Sequence, residues 1–387
     1  MVSMSSPRNG DQSDRIPLVV LLGAGASKNA GLPLATELTL HLQSELDNRG
    51  DRRLLEALGL ILGALAFRNG IRGVSTSVTH DIEAVLRVAQ QLSKRNDQPL
   101  STFVGSWHPA LEQLAPNGEG VVFESLVSTA YEVLKDRLQT PDKPTKFKYL
   151  ADVWDLTRAF DSDEPPPVFS LNYDLLVEEA LKHKGKEFTT GFLNGLWTPS
   201  QFKVDGTLKL YKLHGSIGWV RDRLTSLLYD REAALNRDDV SFESPDTPDE
   251  LIFGTDNKLK AVNPFLWMFY AFDDAVSRAD FIVTIGYGFG DEHVNQIISQ
   301  GLARDEAKRL LVVGPGLNMD KLDIAPGMST MPTRTHFIEH DAKKALTDEE
   351  SIRSTLTDLR TQASTEDPFL EESSVQEESL SGDTPIQ

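Results

Sequence analysis

Short apolar runs, each stopped by glycine, proline or a polar cluster, alternate along this chain with stretches of helical spacing. No other feature limits its fold so tightly. Leu18–Leu22, Val168–Leu171, Leu251–Phe253, Phe281–Ile285 and Leu310–Val313 read as strands buried on both faces. Leu208–Leu213 joins them by alternation, with Leu208, Leu210 and Lys212 on one face. Helical connections between strands require crossovers, and crossovers give a parallel sheet covered on both sides. The expected fold class is therefore α/β, with a Rossmann-like, mainly parallel sheet.

From about residue 35 to 165 the alternation gives way to helical spacing. Phe123, Leu126, Val127, Ala130, Tyr131 and Leu134 form one apolar stripe, and Phe147, Leu150, Val153, Trp154 and Leu156 form another. This predicts a helical subdomain inserted between the first strand and the second, with the proline-rich Asp161–Pro167 as its exit. The core is expected over residues 16–344, after a disordered N-terminus at 1–15. From Ala345 to Gln387 there are 11 acidic and 2 basic residues, a net −9 of the chain's −19. An acidic, largely disordered tail is expected there, with disorder from about Ala363 onward, because so few apolar residues cannot offset the cost of ordering backbone.

The 387 residues include no cysteine. Thiol nucleophiles, disulfides, iron–sulfur clusters and cysteine-ligated zinc are thereby excluded. The excess of 58 acidic over 39 basic residues disfavours direct nucleic-acid binding. Neither apolar run, Ile16–Ala26 or Ala57–Phe67, approaches the roughly 20 residues needed to span a bilayer. With no apolar signal core in the first residues, a cytoplasmic protein without membrane contact is expected.

Four strand ends carry the polar chemistry. The first strand runs into Gly23-Ala24-Gly25-Ala26-Ser27, followed by Gly31-Leu32-Pro33. A Gly-x-Gly turn at a strand end lets backbone approach a pyrophosphate, with free N–H groups facing the anion. Such a turn serves packing equally often, and Lys28 stands where the standard third glycine would be. The second strand ends in Asn172-Tyr173-Asp174, whose amide and carboxylate either reach one ligand or cap the helix that follows. His214-Gly215-Ser216 ends another strand, and histidine is the natural general base in a chain without cysteine. The last is Gly286-Tyr287-Gly288-Phe289-Gly290-Asp291-Glu292-His293, where Asp291 is placed to cap a helix and the residue spacing matches no standard metal-ligand set.

In this order, the four motifs resemble the sirtuin catalytic domain. The resemblance implies that Gly23, Ala24, Gly25 and Ser27 hold NAD, that Asn172 and His214 are the catalytic pair at the nicotinamide ribose, and that Asp174 meets the nicotinamide amide. It places Gly286 and Tyr287 on the adenosine side. Deacylating sirtuins have a four-cysteine zinc ribbon, which this chain cannot form, so no zinc is expected. The wording from Ile285 to Asn295 and the early helical insertion are instead similar to sirtuin-like NAD hydrolases of bacterial antiphage defence.

That resemblance implies an NAD+ glycohydrolase, with NAD as substrate and NAD depletion as the biological output. It further implies a homo-oligomer working with a HerA-type ring ATPase. The competing readings are an NAD-dependent protein deacylase, which would need an acyl-lysine peptide, and a non-catalytic module sensing NAD or ADP-ribose. A nuclease subunit is disfavoured by the charge.

Overall fold

A computed structural model describes residues 15–71, 73, 80–95, 108–116, 120–222, 224–237, 240, 264–322, 332–348 and 352–365. The strands are β1 Ile16–Leu22, β2 Val168–Ser170, β3 Phe188–Thr189, β4 Phe192–Leu193, β5 Leu196–Trp197, β6 Leu208–Lys212, β7 Trp219–Arg221, β8 Leu228–Asp230, β9 Ala279–Ile285, β10 Arg309–Val313 and β11 Thr335–Ile338. The expected strand at Leu251–Phe253 lies outside the described residues.

Seven strands form one parallel sheet in the order β11-β10-β9-β1-β2-β6-β3. The chain fills one half outward from β1 through β2 and β6, then returns to the other side of β1 with β9, β10 and β11. Six of the strands therefore follow the doubly wound order 3-2-1-4-5-6, whose switch point lies between β1 and β9. The α/β expectation holds. A separate antiparallel sheet, β4-β5-β8-β7, was not foreseen, because strands of two or three residues leave no readable period.

Successive side chains of β1 point to opposite faces and so feed two cores. Leu18, Val20 and Leu22 join the helical layer formed by residues 35–160, while Val19 and Leu21 face helices Phe265–Arg278 and Glu292–Arg304. The helical stretch is thus one cover of the sheet and shares its core. Within it, helix Arg52–Ile71 is long and apolar enough to cross a bilayer by length and composition alone, which corrects the count made on Ala57–Phe67. Here its Leu54, Ala57, Leu58, Ile61 and Leu65 are buried in the protein.

The second predicted stripe is not α-helical. Lys148–Phe160 is a 3-10 helix, and the buried Phe147, Leu150, Val153 and Leu156 recur every third residue. Three residues per turn puts that spacing on one line, so burial of the stripe favours the tighter helix.

The expected boundary between core and acidic tail is at residue 344. It falls inside helix Ala342–Thr347, and helix Ile352–Thr365 follows. Ile352, Leu356 and Leu359 are buried against the 3-10 helix side of the core, and the helix itself holds only one acid, Asp358, so most of the acidic residues from 345 on lie outside it. Residues 1–14 and 366–387 lie outside the described residues.

Candidate active site at the sheet switch point

Register places the predicted residues side by side. Leu22 pairs with Ser170 on one flank and Ile285 on the other, and Ser170 pairs with Lys212. Two residues beyond this level lie Ala24, Asn172, Tyr287 and His214, one at the C-terminal end of each of four neighbouring strands. In an open parallel sheet this edge, at the switch point, is where ligands are held.

The first and last glycine motifs lock onto each other. The Gly23 amide donates to the Ile285 carbonyl (3.0 Å), and the Gly25 amide donates to that of Gly286 (2.9 Å). A Cβ on Gly25 would lie 2.8 Å from the Gly286 Cα, and one on Gly286, at φ +64°, would lie 2.1 Å from the Ala26 nitrogen. Backbone apposition therefore explains these glycines, and the amides of Gly23 and Gly25 are engaged within the chain, not free for an anion.

A buried polar network crosses the same edge. Asn172 Nδ2 donates to the Gly23 carbonyl (3.0 Å) and to Ser27 Oγ (3.1 Å). Ser27 Oγ in turn donates to Asp174 Oδ2 (2.7 Å), and Asp174 Oδ1 accepts from the amide of Leu176 (3.0 Å) at the start of helix Leu176–His183. Asp174 is thus both a helix-start acceptor and a member of the network. Asn172, Asp174, Ser27 and His214 are all buried. Beneath them, the buried Lys212 Nζ donates to the Asp174 carbonyl and lies 3.4 Å from Glu178. Burial pushes the Glu178 carboxyl above its usual range, and Lys212 pulls it back.

His214 lies between two carboxylates. Nε2 is 2.9 Å from Asp291 Oδ2, and Nδ1 is 3.4 Å from Glu83 Oε1. Glu83 also accepts from the Tyr173 hydroxyl (2.8 Å), whose ionisation is pushed well up, first by burial and then by Glu83 itself. Asp291 caps helix Glu292–Arg304 as expected from sequence, accepting from the amides of His293 and Val294. His293 is partly exposed on that helix.

Tyr287 stands at the predicted edge, but its side chain braces the loop from within. Its hydroxyl donates to Asn295 Oδ1 (2.7 Å) and accepts from the Asp291 amide (3.2 Å), and its ring packs on Phe289. Any contact of Tyr287 with a ligand would be through its main chain.

Glu83, Lys212 and Tyr149 were not singled out by sequence reasoning. Tyr149, on the 3-10 helix, donates to the carbonyl of Ala26 and so props the turn that carries Ser27. Only Lys212 offered a signal, as a cation on the apolar face of Leu208 and Leu210. Among the described residues no group of three His, Asp or Glu is arranged to hold a metal.

The arrangement is rich in buried acceptors. Asp174, Asp291 and the partly exposed Glu83 surround one amide and one imidazole. Such a site favours a substrate centre that is cationic or becomes so, since fixed acceptors stabilise developing positive charge without reorganising.

No curated protein sequence matches the chain. Among solved structures, one described as "Sir2-p53 peptide-NAD+" aligns at 11 % identity and a TM-score of 0.38, over 88 % of this chain and 94 % of that one. A second, described as "Structural Basis for the Mechanism and Regulation of Sir2 Enzymes", aligns at 12 % identity and a TM-score of 0.40, over 92 % and 96 %. A family model described as "SIR2-like domain" matches residues 166–323, which carry Asn172, Asp174, His214 and Gly286. Over that segment the chain is similar to SIR2-like domains.

Proposed function

We propose that the protein is an NAD+ glycohydrolase acting at the edge shared by β1, β2, β6 and β9. The observation that carries this reading is the convergence of buried Asn172 and His214 with Ser27 and Asp174 beyond those strand ends. The residues suit the dinucleotide: the sheet order provides the crevice, and the carboxylates suit the cationic nicotinamide ribose.

The reaction breaks the bond between ribose and nicotinamide, whose electron pair leaves with nicotinamide, while water bonds to the sugar carbon and gives up a proton. Asn172 is already held by the Gly23 carbonyl and Ser27, so its side chain is pre-oriented for the ribose or the water. His214 is the base in reach of this edge, and Asp174 fixes Ser27. The resemblance to antiphage NAD hydrolases supports a cytoplasmic, homo-oligomeric enzyme that depletes NAD beside a HerA-type ATPase partner.

The test is chromatographic. Purified protein, alone and with the product of its genomic neighbour, is incubated with NAD+ and assayed for nicotinamide and ADP-ribose. Asn172→Ala and His214→Ala should each abolish release while circular dichroism stays native. Turnover surviving in both variants, or no product under either condition, would refute the proposal.

A further inference from the structure

His214 has a carboxylate oxygen near each ring nitrogen, hydrogen-bonded at Nε2 by Asp291 and within ion-pair distance at Nδ1 from Glu83, and the two are held differently. Asp291 cannot turn away. Its Oδ1 accepts from the amides of His293 (3.1 Å) and Val294 (3.4 Å), which fixes Oδ2 at 2.9 Å from Nε2. A helix N-terminus also favours the ionised carboxylate, and a carboxylate only accepts, so Nε2 must carry a proton.

Glu83 is the looser partner. It comes from helix Ile82–Ser93, outside the sheet, its side chain is 25 % exposed, and its oxygen is 3.4 Å from Nδ1. The Tyr173 hydroxyl, donating to the same oxygen, keeps Glu83 beside the ring, and the Tyr173 ring lies 6.1 Å from the imidazole. Asp291, Glu83 and Tyr173 are titratable groups around His214, and Tyr287, whose hydroxyl contacts the Asp291 main chain, lies just behind them.

We propose that Asp291 is a positioning residue that fixes His214 as the Nε2–H tautomer, so that Nδ1 is the nitrogen that takes the proton, with Glu83 poised to receive the new N–H. This rests on the hydrolase reading. A water beside Nδ1 gives up its proton: its O–H bond breaks and an N–H bond forms, while its oxygen bonds to the sugar carbon and nicotinamide leaves with its electron pair. The imidazolium then has a carboxylate opposite each N–H, and the proton passes to solvent at the end of the cycle.

The tautomer is read without any turnover, by long-range 1H–15N correlation on labelled protein at alkaline pH, with His214→Asn to assign the ring. The wild type should show a protonated Nε2 and a bare Nδ1. In Asp291→Asn the amide oxygen still caps the helix, because Asn caps as well as Asp, so its NH2 faces Nε2 and should move the proton to Nδ1. That variant should lose roughly 100-fold or more in kcat for nicotinamide release, the scale of general-base catalysis, with little change in KM for NAD+. Glu83→Gln should keep the tautomer and titrate the ring at lower pH. A wild-type ring protonated on Nδ1, or an unchanged tautomer in Asp291→Asn, overturns the inference even if the enzyme is active. The expected tautomer in a protein that releases no nicotinamide overturns the hydrolase reading and the proton transfer with it.

Discussion

Replacing Lys212 by Met removes the counter-charge of a buried acid and a donor to the active-site loop in one step. Lys212 is 1 % exposed, its Nζ lies 3.4 Å from Glu178, and it also donates to the Asp174 carbonyl. Removing one partner of a buried pair costs about 3–5 kcal/mol, because the other is left charged and desolvated. At about 2–4 °C per kcal/mol for a large domain, Tm should fall by roughly 6–20 °C. Replacing both partners, as Lys212→Met with Glu178→Leu, should recover most of this and leave about 1 kcal/mol for the lost hydrogen bond to the Asp174 carbonyl.

The deficit should also depend on pH, with a definite sign. Burial already raises the Glu178 pKa in the fold, and without Lys212 it rises further. The native state then binds the proton more readily than the unfolded chain, so stability is lost as pH rises through the folded value and regained as pH falls below it. The Lys212→Met deficit should therefore shrink between pH 8 and pH 5. Thermal unfolding followed by circular dichroism, on both variants at both pH values, measures all of this. A single variant no worse than the double one, or a deficit that grows on acidification, would refute the argument.

Other outcomes follow from the same packing. Gly25→Ala forces a Cβ to 2.8 Å from the Gly286 Cα and should cost about 1–3 kcal/mol, read as a lowered urea midpoint. Leu356→Ala, fully buried in the helix beyond the expected core boundary, should cost about 2–5 kcal/mol, whereas a merely solvated tail would show no change. Burial and then Arg309 lower the His336 pKa, so the unfolded chain binds its proton first and stability should fall as pH drops through about 6.5. His336→Asn should remove that part of the acid slope, as measured by urea unfolding at pH 7.5 and 5.5.

Five of the seven sheet strands were legible because they are short, mostly apolar and buried, whereas the edge strands β3 and β11, two and four residues long and only partly buried, were not. Their ends were legible for a related reason: polar residues immediately past such a run, like Asn172 and His214, can only sit at the sheet edge. Residues that reach the site from other layers were not. Glu83 and Tyr149 look in sequence like any helix acid and any core aromatic, and only the packing of the helical layer on the sheet brings them in. The glycines of the first motif were found and a packing role was allowed for them, but the partner they pack on was not foreseen. Backbone-to-backbone contact between Gly25 and Gly286 joins two stretches more than 250 residues apart. The helix Ile352–Thr365 was not read from sequence because its buried stripe is only Ile352, Leu356 and Leu359, set among Ser, Thr and Gln that carry no clear period and followed by an acidic, apolar-poor stretch.

The segment similar to SIR2-like domains begins at residue 166, after β1, yet β1 is the strand between β2 and β9. Cut out by itself, that segment would leave β2 and β9 as two raw edges with no strand to close the gap. Unpaired flat edges invite pairing with other copies. The stretch that is recognisable and the stretch that can fold are therefore different objects: a truncated form would be expected to aggregate, and the helical layer that precedes it in sequence travels with β1 as an indispensable half of the same body.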